Sequence, residues 1–199
     1  MELKDNKIIL EKDASELDIF AIKFLKILEK HIEYVVVSGY VSILLGRTRA
    51  TDDIDTFVKR MTKEKFSVLY EELQKNGFWC LNAITLDEVF SYLGDGYSIR
   101  FAENEKGTPN FEVRFPKDSL DEETFDNFII VEFPNKEHIK ISSLERQIAF
   151  KRYYLGTEKD NEDALHIEEL FKGKIDFNKV NKYKQFIEER KKRQKIYGK

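Results

Sequence analysis

Hydrophobic positions along the chain change period several times, and each change marks an element. Leu17, Phe20, Ala21, Phe24, Leu28 and Ile32 recur at helical spacing. Ser15 and Asp18 stand in front of them as a capping pair. The run Tyr34 to Val37 is short, β-branched and closed by Ser38 and Gly39, which predicts a buried strand. Val41 to Leu45 predicts a short helix ending near Gly46. Ile54 to Val58 alternates, as a strand with one buried face does. Thr62 to Asn76 reads as a helix stopped by Gly77, and Phe78 to Leu81 as a strand.

Two hairpins are predicted next. Tyr97 to Ala102 pairs with Phe111 to Phe115 across Gly107 and Pro109. Phe128 to Phe133 pairs with His138 to Ile141 across Pro134 and Asn135. The last third is helical. Ser142 and Glu145 read as a capping box for a helix running to Leu155 and stopped by Gly156. A second helix spans about Lys159 to Phe171. A third begins near Asn178, with Val180, Tyr183, Phe186 and Ile187 on one stripe. The expected fold class is α+β: a mixed sheet flanked by helices over residues 1–141, then a helical segment over residues 142–199 packed on it.

Composition narrows the options. At 199 residues and 41% apolar content the chain can bury a full core. Net charge is only −3, which excludes a wholesale basic nucleic-acid footprint. The basic run from Arg190 to Lys199 reads as a solvated, frayed terminus. One cysteine, Cys80, excludes an internal disulfide and a cysteine-based zinc site, and its neighbours predict a buried strand position. His31, His138 and His166 have no metal-pair spacing. Without an apolar run of membrane length or a signal-peptide core, the expected location is the cytoplasm, with no membrane partner. Tyr92, Tyr97, Phe101, Phe111 and Phe115 alternate and are expected in the core, not on a base-stacking surface.

The chemistry concentrates between Val35 and Val58. A strand ends at Ser38–Gly39 and a helix follows, so backbone N–H groups face outward, and a phosphate can approach closely at a glycine. The next strand carries Asp53 and Asp55. Side chains two apart on a strand share a face. Two carboxylates there repel, and a divalent cation relieves the repulsion; hard oxygen ligands favour magnesium.

This stretch resembles the first motif of the DNA polymerase beta superfamily of nucleotidyltransferases, a glycine-containing turn after a hydrophobic strand followed by Asp-x-Asp. Gly46 to Thr51 is similar to the Arg-x-Thr approach of the small minimal nucleotidyltransferases and of the AbiEii-like half of abortive-infection toxin–antitoxin systems. The turn departs from the family pattern, with Ser38-Gly39-Tyr40 in place of Gly-Gly or Gly-Ser. The resemblance implies Mg2+ or Mn2+ at Asp53 and Asp55, with Glu112 as third carboxylate, ligand and proton acceptor. It implies a nucleoside triphosphate held by Ser38, Gly39, Arg49 and Lys151. Residues Lys151, Lys159, Asp160 and Asp163 occupy a looser downstream motif of that family. Read without it, Lys159 and Asp163 are an exposed pair four apart on a helix.

The expected activity is transfer of a nucleoside monophosphate to a hydroxyl of a protein, an RNA or a small molecule. The alternative is a catalytically silent protein of the same fold that binds nucleotide, RNA or a protein partner, as a toxin–antitoxin component does.

Overall fold

The computed structural model describes residues 1–197. In chain order the elements are β1 (Glu2–Lys4), β2 (Lys7–Ile9), α1 (Glu16–His31), β3 (Tyr34–Val36), α2 (Gly39–Leu44), β4 (Asp53–Val58), α3 (Lys63–Lys75), β5 (Phe78–Cys80), α4 (Leu86–Gly94), β6 (Ile99–Glu103), β7 (Asn110–Arg114), α5 (Ser119–Glu122), β8 (Phe128–Glu132), β9 (His138–Ser142), α6 (Leu144–Ala149), α7 (Glu158–Leu170) and α8 (Phe177–Tyr197). A single turn of 3-10 helix, Glu123–Phe125, follows α5, and α6 continues as a π-helix over Phe150–Leu155.

The nine strands form one mixed sheet in the order β1-β2-β8-β9-β3-β4-β7-β6-β5. The α+β class and both expected hairpins are present: β6 with β7, and β8 with β9, are antiparallel neighbours. The centre of the sheet decides the site. Strand β4 runs antiparallel to β3 and parallel to β7. Its register sets Asp53 opposite Asn110 and Asp55 opposite Glu112. Directly opposed residues of paired strands share a sheet face, so those carboxylates lie on one side.

The other side holds the main core. Helix α1 lays Phe20, Phe24 and Leu28 onto it, and the Phe24 ring stacks on Phe111 at 4.1 Å between centroids. The capping box of Ser15 and Asp18 is formed. Asp18 is buried and also accepts a 2.6 Å hydrogen bond from the Tyr40 hydroxyl, which ties α1 to α2. On the carboxylate side the apolar content is small: Val35, Val37, Phe57 and Phe125, with Phe128 against them. Leu144, Ile148, Ala164, Ile167, Val180 and Ile187 of the C-terminal helices join the main core cluster.

Several expectations are corrected. The cap of α6 is Ser143, whose hydroxyl accepts from the Arg146 N–H; Ser142 ends β9 and its hydroxyl accepts from Gln147. Two consecutive serines gave the motif two registers, and strand pairing with Phe128 consumes the first. The basic run is not frayed at its start: α8 continues through Tyr197, and Arg190 is held by Asp118 and Asp121. Gly198 and Lys199 lie outside the described residues. Phe101, Phe111 and Phe115 are buried, as expected, but Tyr92 and Tyr97 are exposed, because they sit on α4 and in the loop before β6, off the alternating strand.

Strands β1 and β2, helix α4 and the short α5 were not expected. The signal for α4 was legible as Thr85 and Glu88, which form a complete capping box. The β1–β2 turn is Asp5–Asn6, with Asp5 at φ 53°, a conformation that aspartate and asparagine tolerate.

Candidate active site

Strand β3 ends at Val36, and the Val37 N–H still bonds to the Asp55 carbonyl at 2.9 Å, so the turn at Ser38 starts beside Asp55. Ser38 has φ 65° and ψ −136°, backbone space that glycine occupies freely and serine does not. The family pattern puts glycine in this turn, and the geometry gives the reason. Serine occupies this conformation here, and its hydroxyl favours the ionised form of the Asp55 carboxylate.

Asp55 is largely buried, with 18% of its side chain exposed. Burial raises its carboxyl above the usual carboxylate range. Arg114 and the Ser38 hydroxyl pull it down, while the charges of Asp53 and Glu112 push it further up. The Arg114 Nη2 lies 3.6 Å from Asp55 Oδ1. Asp53 accepts a 3.0 Å hydrogen bond from Thr51 Oγ1. Glu112 accepts from Arg100 Nε at 2.7 Å. Asp53 and Glu112 therefore each have a hydrogen-bond donor, and Asp55 has the Arg114 guanidinium as its ion-pair partner. Among the described residues, no three acidic, histidine or cysteine side chains stand close enough to hold one ion. The donor chemistry suits a hard divalent cation: oxygen atoms only, on one face, with Asp55 destabilised by its acidic neighbours.

Beside Asp55 opens a hollow of about 280 Å³. Ser38, Phe57, Arg114, Lys117, Arg146 and Lys151 are among its walls. The Arg114 guanidinium lies 5.0 Å above the Phe57 ring, and the Arg146 guanidinium 4.0 Å from the Phe150 ring. Arg146 is buried on α6, and burial lowers its pKa to about 10, although Asp121 opposes the shift. A concave, cationic site next to paired carboxylates suits a polyphosphate.

Arg49, expected to hold the triphosphate, does not line that hollow, and Lys151 lies in its wall but is already paired. Lys151 is 1% exposed and gives its ammonium to Asp163 at 2.7 Å. Arg49 Nη2 reaches the same carboxylate at 3.0 Å, and Arg47 approaches it at 3.5 Å. Asp163 is completely buried, which corrects its reading as an exposed partner of Lys159. Four-residue spacing on α7 could not reveal this, because the partners come from the loop after α2 and from the π-helix. The Arg49 guanidinium also fills the space beside Gly39: a Cβ there would stand 2.5 Å from Nη2. Glycine at this position admits the arginine of this chain.

Sequence reasoning put Asp53, Asp55, Glu112 and Arg114 on one sheet face, as the register of β4 with β7 does, with Ser38 in the turn beside Asp55. It missed Lys117, Arg146 and the buried Asp121. Arg146 had no periodic signal, since it sits among apolar residues of α6 as a buried cation.

No family model and no curated protein matches the chain. Solved structures do. The solution structure of the antibiotic-resistance factor ANT(2'')-Ia matches with a TM-score of 0.54 at 14% identity, over 92% of this chain and 98% of that one. An antigenic nucleotidyltransferase-like protein from Paracoccidioides brasiliensis matches with a TM-score of 0.51 at 15% identity, over 89% of each chain. At such identity the likeness is one of fold, and with the sheet order and the strand–turn–helix at Ser38 it gives this chain a nucleotidyltransferase fold.

Proposed function

We propose that the protein transfers a nucleoside monophosphate from a nucleoside triphosphate to a hydroxyl group. The observation that carries this reading is the register of β4 with β7. It sets Asp55 against Glu112 on one face, two residues from Asp53 and next to the strained Ser38 turn. Asp53 and Asp55 are the residues that would hold Mg2+, and Glu112, engaged by Arg100, is the third carboxylate of the face. The metal would supply charge neutralisation at the phosphates. The cationic hollow at Arg114, Lys117 and Arg146 would take the triphosphate. In the reaction the acceptor oxygen forms a bond to the α-phosphorus. The bond from that phosphorus to the bridging oxygen breaks, pyrophosphate leaves, and Glu112 or water takes the hydroxyl proton.

The test is incorporation of label from each of four α-labelled triphosphates, with magnesium and a mixture of hydroxyl acceptors. The proposal requires transfer by the wild type and its loss in Asp53→Ala with the fold retained. Full activity in that variant would refute the assignment.

A second reading has specific support. Arg49 fills the space beside Gly39 and is held by Asp163, Asp163 also engages Lys151, and Arg100 engages Glu112. These contacts suit a silent member of the fold that binds a nucleotide or a partner protein, as in an AbiEii-like toxin–antitoxin pair. Magnesium-dependent triphosphate binding without transfer to any acceptor would favour it.

A further inference from the structure

The sheet face that bears the carboxylates has a second hollow, on the side away from the cationic one. It has a volume of about 560 Å³ and is lined by Asn82, Tyr92, Tyr97, Ser98, Arg100 and Glu112. Glu112 belongs to this hollow and Asp55 to the other, and the two residues are register partners. The acidic pair thus stands between a polyphosphate-sized cationic site and a second site of different chemistry.

That chemistry is specific. Tyr92 and Tyr97 meet edge to face at 6.2 Å between centroids. Both rings are open to solvent, 39% and 64% exposed, in a chain that buries most of its aromatics. Their backbone is fixed: the Tyr97 N–H bonds to the Tyr92 carbonyl at 2.9 Å. Asn82 accepts from the Arg100 N–H and donates to the Ser98 carbonyl, both at 2.9 Å. Arg100 lies opposite Glu112, engages it through Nε and Nη2, and keeps 54% of its side chain exposed. A half-exposed guanidinium can take a phosphate while still touching the carboxylate. Exposed tyrosine faces stack planar bases. A polycationic acceptor has no attraction here, because the one acidic side chain in the lining is already paired to Arg100.

We infer that this hollow is the acceptor site of the proposed transfer and takes a nucleotide bearing a free ribose hydroxyl. The base stacks on Tyr97 and Tyr92, its phosphate meets Arg100, and its hydroxyl faces Glu112. The inference rests on the nucleotidyl-transfer reading and names the acceptor for it. The ligand has two sources, a free mononucleotide or the 3′ end of an RNA. The hollow's lining has a single cation, Arg100, so it offers one phosphate contact.

The test is fluorescence anisotropy with a 5′-labelled tetraadenylate carrying a 3′ hydroxyl, with magnesium and a saturating non-hydrolysable triphosphate present. AMP is the competitor. The expected result is saturable binding that Tyr97→Ala weakens roughly five- to hundredfold, the range for loss of one stacked base. Tyr97→Phe, which keeps the ring, should bind within about twofold of wild type. Full displacement by AMP assigns the site to a free nucleotide; resistance to AMP assigns it to an RNA end. Either result supports the inference if Tyr97→Ala is impaired. Absence of binding, or equal binding by wild type and Tyr97→Ala, overturns it. The melting shift given by magnesium triphosphate is recorded on the same samples. If that shift is present while Tyr97→Ala binds like wild type, the acceptor assignment alone falls. If the wild type shows no shift with any triphosphate, the transfer reading falls.

Discussion

The two faces of β4 have different tasks although they belong to the same six residues. Ile54, Thr56 and Val58 point into the main core and are almost completely buried. Asp53, Asp55 and Phe57 point the other way, where the apolar cluster is small and charged groups dominate. The first face contributes stability by removing apolar surface from water. The second holds Asp55 largely buried beside two like charges, which costs stability and leaves the group responsive to a cation. Stability and reactivity are separated by the pleat of one strand, so substitutions on the two faces should separate them too.

The sharpest break is Asp55→Asn. It should reduce nucleotidyl transfer by about a hundredfold to ten-thousandfold, the scale of losing a group that acts on the reacting phosphate. The melting temperature should stay level or rise, because a raised, partly buried carboxyl is removed. Calorimetry and label incorporation on one preparation check both halves.

The next effect belongs to a buried charge away from the strand. Asp163→Ala leaves the Lys151 ammonium buried without its 2.7 Å partner, and Arg49 loses its anchor beside Gly39. Loss of one partner of such a pair typically costs about 3–5 kcal/mol. Urea denaturation reads this directly.

On the core face, Ile54→Ala should cost about 2–5 kcal/mol, as large-to-small core changes do. Transfer per folded molecule should stay near wild type. A selective loss of transfer at full stability would show that the faces are coupled.

The smallest effect is Ser38→Gly. Relief of the φ 65° backbone should stabilise by about 1 kcal/mol, less the extra freedom of glycine in the unfolded chain. Without the serine hydroxyl, which favours the ionised form, the pKa of the Asp55 carboxyl should rise further. Carboxyl chemical shifts followed through a pH titration measure that change.

How much of this was legible in the sequence follows the same division. Alternation at Ile54 to Val58, helical spacing at Leu17 to Ile32 and the two hairpins report burial against one core, and burial has a period. Asp-x-Asp was legible because the period of two sets both carboxylates on one face. The partners of those carboxylates were not. Arg146, Lys117 and Asp121 reach the site from later elements, and no local spacing encodes which distant cation will face Asp55. Asp163 shows the limit most clearly. By spacing it is an exposed helix residue, whereas three cations from two other segments enclose it. The π-helix that carries Lys151 has no pattern distinct from an α-helix, yet it changes which side chains turn inward.

The most direct measurement is a calorimetric titration of the wild type and of an Asp53→Ala, Asp55→Ala double variant with a non-hydrolysable triphosphate, with and without magnesium. The account predicts saturable binding by the wild type that requires magnesium and disappears in the double variant. Unchanged binding in the double variant, or no binding by the wild type to any of the four triphosphates, would contradict it.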